Sequence, residues 1–74
     1  MAKVVLRVRL TNGDRLDVSY EEHGIDDPDK VLMHAIDIMA DDSGVLRAVH
    51  GDRMVVLYSR GVAAVEVAPR GAVL

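Results

Sequence analysis

The sequence predicts an α+β domain: a β-hairpin, one α-helix and a three-stranded antiparallel meander, in the order ββαβββ. Three observations lead there. Residues 3–10 and 15–21 alternate apolar with polar around Thr11-Asn12-Gly13-Asp14, the pattern of a half-buried hairpin. One stretch, opening at Asp27-Pro28, carries apolar residues at helical spacing. Residues 45–68 then form an apolar run punctuated by Gly51-Asp52 and Ser59-Arg60-Gly61. The alternative arrangement is a small β-barrel with one helix, which five short strands and tight turns also allow.

Parity fixes the first turn. A two-residue Asn-Gly turn would set Leu10 against Arg15 and Val8 against Asp17, mixing apolar with polar on both faces. A three-residue loop with Gly13 left-handed pairs Val8 with Leu16 and Leu6 with Val18. It also sets Arg7 across from Asp17 and Lys3 across from Glu21. A one-residue slip reverses every side chain, so the three-residue loop is expected. Opposite charges across such strands contribute roughly 0.2–1 kcal/mol each.

Residues 21–27 make an acidic loop. Asp27 is placed to cap the helix, Pro28 fits its first position, and Asp29 lies in its first turn. Val31, Leu32, Ala35, Ile36 and Met39 form the apolar stripe, with Met33 and Ile38 flanking it. Lys30, His34, Asp37 and Asp41 lie opposite. The helix ends between Ala40 and Asp42, where Asp41 and Asp42 meet the negative end of the dipole with no local compensation expected.

The meander is expected as Val45 to His50, Arg53 to Tyr58 and Val62 to Ala68, stopped by Pro69. Its turns would place Leu46, Ala48, Val55, Leu57, Ala63, Val65 and Val67 on one face, the seat for the helix. Val45, Arg47, Val49, Met54, Val56, Tyr58, Val62, Ala64 and Glu66 would share the other. That second face is too apolar for open water, so it is expected either to be an interface or to pack on the N-terminal hairpin. The candidate interface residues are Val45, Val49, Met54, Val56, Tyr58, Val62 and Ala64, with Tyr58 as the aromatic anchor. Residues 68–74 are read as a C-terminal tail.

The whole chain of 74 residues is one small domain. A domain of this size buries only about 60% of its unfolded surface, and such scaffolds commonly lean on disulfides, metals or oligomerisation. With no cysteine, disulfides and thiolate metal sites are excluded, which leaves oligomerisation. No stretch approaches a membrane span, and the start does not read as a signal peptide, so a cytoplasmic protein is expected. Arginine outnumbers lysine seven to two, and Val, Ala, Gly and Asp are abundant, a bias that suggests a GC-rich bacterium or its phage.

The chemistry-bearing residues are sparse. His34 and Asp37 share a helix face, near His23 and Asp26 or Asp27, but the spacing fits no metal-binding pattern, and no metal or cofactor is expected. Ser19, Ser43 and Ser59 sit in no nucleophile elbow. An enzyme would need His50 or His34 beside a carboxylate in a pocket between subunits. Arg7, Arg9 and Arg47 would be the residues of a nucleic-acid-binding barrel. The net charge of −3 and the absence of stacking aromatics on that face make nucleic acid an unfavoured partner. The leading expectation is a non-catalytic homo-oligomeric binding protein, of the kind that blocks or sequesters a host protein or a small ligand.

Overall fold

The computed structural model describes residues 2–67 and 71. Five strands and one helix follow in the order β1 (Lys3–Leu10), β2 (Arg15–Glu21), α1 (Pro28–Ala40), β3 (Val45–His50), β4 (Arg53–Tyr58) and β5 (Val62–Val67), with a single 3₁₀ turn at Ser59–Gly61 between the last two. All five strands belong to one antiparallel sheet in the order β4-β3-β2-β1-β5. The α+β class and every element are as the sequence predicts. The C-terminal tail lies outside the described residues, Gly71 excepted.

The first hairpin has the register that parity demands. Leu6 pairs with Val18, Arg7 with Asp17, Val8 with Leu16 and Lys3 with Glu21. Gly13 takes φ of 95°, and its N–H donates to the Leu10 carbonyl at 3.0 Å, closing the three-residue loop. Asp27 caps α1, its carboxylate accepting from the Asp29 N–H at 3.0 Å. The end of α1 corrects one expectation: Asp41 is compensated locally. Its carboxylate accepts from the Ser43 backbone N–H at 2.9 Å and from the Ser43 hydroxyl at 2.8 Å. Those bonds, the backbone one first, hold the Asp41 carboxyl below the usual carboxylate range.

The strand order is the main correction. β5 does not return beside β4 to finish a meander; it pairs with β1 at the far edge of the sheet. The N-terminal hairpin is likewise not a layer packed on the later strands but the middle of the same sheet. Only three residues join β4 to β5, though these strands are four places apart. Flat, those places span about 19 Å, whereas the four steps from Tyr58 to Val62 reach at most about 14 Å even when extended. The sheet must therefore curl. The connection itself is anchored at both ends, by Thr11 N–H donating to the Gly61 carbonyl and Ser59 N–H to the Gly44 carbonyl, both at 3.0 Å. Because β4 and β5 are not hydrogen-bonded to each other, the curl does not close into a barrel.

The helix lies against the face that carries Val4, Leu6, Val8, Val18, Tyr20, Leu46, Ala48 and Leu57, all buried. It contributes Val31 and Ala35 to this core, while Leu32, Ile38 and Met39 pack around the rim. Ile36 was expected in the central stripe but stays exposed, and Ile38 takes its place, because the helix leans toward β1 and β3 and away from β5.

Candidate interaction surface

The other face of the sheet divides into a charged half and an apolar half. On β1, β2 and β5 two ion pairs dominate, beside the Val5–Ser19 pair and the two arginines Arg9 and Arg15 that face each other. Arg7 grips Asp17 with two bonds, Nε to Oδ1 at 2.7 Å and Nη2 to Oδ2 at 3.0 Å. Asp17 is only 8% exposed, and its guanidinium partner supplies the charge that makes this burial tolerable. The bond from Asp17 in turn raises the pKa of Arg7. Arg9 pairs with Glu66 across the β1–β5 ladder. Near this network β2 and β3 share only one residue pair, Ser19 with Val49. There the His50 ring fills in for the ladder: Nδ1 lies 2.6 Å from the Asp17 carbonyl oxygen, which can only accept, so Nδ1 carries the proton.

On β3 and β4 the face is apolar. The register pairs Val45 with Tyr58, Arg47 with Val56 and Val49 with Met54. Val45, Val49, Met54, Val56 and Tyr58 are all exposed, Met54 at 68% and Tyr58 at 57%. Five of the seven expected interface residues are thus brought together on one surface. Val62 and Ala64 are not. They sit on β5 at the opposite edge, where Val62 packs on the core rim and Ala64 lies across from Arg9.

The structure also reveals a feature that the sequence does not announce: among the described residues, β4 is an edge strand whose outer side is unpaired. Ser59 N–H donates to the Gly44 carbonyl, and the Gly51-Asp52 turn, with Gly51 at φ of 63°, sets His50 across from Arg53. Hydrogen-bonded pairs alternate along an antiparallel ladder. Arg53, Val55 and Leu57 therefore turn their backbone groups toward β3. Met54, Val56 and Tyr58 turn theirs outward, and no strand among the described residues receives them. Glu66 held the available clue: the expected meander put it on a face with Arg47, leaving Arg9 without an acid, whereas β5 beside β1 gives Arg9 its partner.

His34, His50, Arg7 and Arg9 find structural employment. His34 Nδ1 lies 2.5 Å from Glu22 Oε1, which also accepts from the Tyr20 hydroxyl. This ties the loop after β2 to α1. Burial first, and the Glu22 bond second, push the Tyr20 phenol well above its ordinary range. Among the described residues, no three His, Cys, Asp or Glu side chains converge as a metal would require. Of Arg7, Arg9 and Arg47, the first two are engaged by Asp17 and Glu66, and Arg47 stands exposed within the apolar patch. No helix among the described residues is long and apolar enough to cross a membrane. Comparison with protein-family models, with curated proteins and with solved structures finds no match.

Proposed function

We propose that this chain is a small non-catalytic interaction protein that works as a homo-oligomer, with the β3–β4 face as its contact surface. One observation carries the reading: Val45, Val49, Met54, Val56 and Tyr58 stand exposed together around Arg47 on the β3–β4 part of a face whose β1, β2 and β5 part carries the Arg7–Asp17 and Arg9–Glu66 ion pairs. Contiguous apolar surface of this kind marks interaction sites. It is concentrated on two strands, and it contains the aromatic and methionine residues that interfaces favour. The nucleic-acid reading loses support because Arg7 and Arg9 spend their charge on Asp17 and Glu66.

Light scattering across a dilution series tests the proposal. The wild-type chain is expected to hold the mass of a dimer or larger assembly, and Val56→Asp to shift it toward monomer by placing a charge in the middle of the contact. A wild type that is monomeric at every concentration, or a Val56→Asp variant that keeps the wild-type mass, overturns it.

A further inference from the structure

The unpaired side of β4 carries this proposal further. It rests on the self-association above and places its contact at the β4 edge of that surface, through Met54, Val56 and Tyr58. We infer that two copies join edge to edge through β4, antiparallel about a two-fold axis at Val56.

The edge offers what such pairing needs. Met54, Val56 and Tyr58 present N–H and C=O groups outward, as follows from the Ser59-to-Gly44 bond and the β3–β4 register. Sheet edges that must stay alone are commonly blunted by charge, proline or a bulge. The ladder of the opposite edge strand, β5, has such an irregularity between Arg9 and Leu10, and β5 also carries Glu66. β4 has neither charge nor proline from Met54 to Tyr58 and pairs regularly along its whole length.

Symmetry then restricts the register. Residues opposite each other must point to the same face, and side chains alternate along a strand. In a strand paired with its own copy, odd positions must therefore face odd and even face even. A register centred on Val56 sets Val56 against Val56 of the second copy and Met54 against Tyr58 of the second copy. All three outward-facing residues then sit in hydrogen-bonded pairs. It places the Met54 sulfur beside an aromatic ring, a favourable contact. On the other face it sets Val55 against Leu57 of the second copy. At both ends it brings Asp52 toward Arg60 of the second copy, so the charges flanking the apolar stretch are complementary; both residues are exposed. A register centred on Val55 instead sets Asp52 against the Tyr58 ring and leaves Arg60 facing His50. The occupant that fits is thus a second copy, in the Val56 register. Val45 and Val49 lie one strand further in and stay outside the pairing.

Cysteine cross-linking tests this cleanly, since the chain has no cysteine of its own. Paired residues on the axis lie about 5.5 Å apart between Cα atoms, inside the disulfide range of about 4.4–6.8 Å. Val56→Cys is expected to give mostly covalent dimer on mild oxidation. Met54→Cys is expected to give little, because its symmetry mate is four residues along, about 13 Å away. Met54→Cys with Tyr58→Cys restores cross-linking through a different pair. Circular dichroism confirms that each variant is folded. A wild-type chain that dimerises by light scattering, but whose Val56→Cys form does not cross-link or whose Met54→Cys form cross-links equally well, overturns the register and leaves the self-association reading standing. A monomeric wild type with no cross-linking in any variant overturns both.

Discussion

Gly44→Ala is expected to damage this fold, because Gly44 is the one glycine at which an added Cβ would strike the backbone. Gly44 sits where the end of α1, the start of β3 and the turn after β4 converge. Its N–H donates to the Asp41 carbonyl at 2.9 Å, and its own carbonyl accepts from Ser59 N–H at 3.0 Å. The Ser59 hydroxyl also reaches the Asp41 carbonyl, at 2.5 Å. A Cβ at Gly44 would lie 1.9 Å from the Ile38 carbonyl oxygen, 2.9 Å from its carbon and 3.0 Å from the Asp41 oxygen. These are backbone atoms of a helix terminus, so no side chain can swing aside. Clearing the Ile38 oxygen requires a backbone shift of more than an ångström. Overpacking of this kind costs about 1–3 kcal/mol. The shift also strains two hydrogen bonds, each with a net value of roughly 0.5–1.5 kcal/mol. Against these stands a gain of about 0.4–1 kcal/mol from the stiffer unfolded chain. The net loss is roughly 2–4 kcal/mol, set against a total stability of about 4–11 kcal/mol for a chain this long. At about 4–8 °C per kcal/mol, Tm falls by about 10 °C or more. Gly61→Ala is the control, because a Cβ there meets nothing within 4 Å and the backbone φ is ordinary. Thermal melts followed by circular dichroism decide the matter. A Gly44→Ala variant that melts within about 2 °C of the Gly61→Ala variant would falsify the account of this junction.

Two further expectations concern the polar network. Arg7→Met should lower Tm several times more than Arg9→Met, because Asp17 is nearly buried while the Arg9–Glu66 pair is almost half exposed on both sides. Exposed pairs contribute about 0–1 kcal/mol; equal shifts in the two melts would show that burial of Asp17 has no consequence. Tyr20 sets an alkaline limit. Its folded phenol holds its proton above the ordinary pKa of 10.0. Stability from this group is therefore complete below about pH 10 and lost as pH rises further, since the unfolded chain releases the proton first. Urea midpoints measured from pH 8 to 11 should fall more steeply for wild type than for Tyr20→Phe, and parallel curves would contradict the assignment.

The local structure of this chain was legible because single residues decide it. Gly13 and the alternation on either side admit one register for the first hairpin, and the charge pairs Arg7–Asp17 and Lys3–Glu21 agree with it. Asp27-Pro28 states where α1 begins. The partner of β5 was not legible. Ser59-Arg60-Gly61 is short enough to read as a hairpin loop, and a strand with Val62, Val65 and Val67 can be satisfied beside β4 or beside β1. What separates the two is the curl of the sheet, a property of all five strands together, which no local pattern encodes. The same holds for Ile36 and Ile38: helical spacing gives both a place near the stripe, and only the lean of the helix across β1 and β3 selects Ile38 for the rim of the core.

That strand order bears directly on the proposed contact. Had β5 returned beside β4, it would have satisfied the outward groups of Met54, Val56 and Tyr58. Val62 and Ala64 would then have extended the apolar face by a third strand. β4 could then not have served as the edge. With β5 at the far side of the sheet, the exposed apolar residues of the outer face gather on β3 and β4, and among the described residues β4 is open along its backbone. The segment Met54 to Tyr58 is uncharged, rich in β-favouring residues and free of proline, which in an unprotected edge invites uncontrolled pairing between chains. A defined two-fold partner removes that hazard by occupying the same hydrogen-bonding groups. Assembly through β4 and protection from aggregation are then one property. A variant that weakens the edge contact while keeping the fold, such as Arg60→Asp opposite Asp52, should both dissociate and become more prone to aggregate. An Arg60→Asp chain that dissociates yet stays clear at high concentration would separate the two.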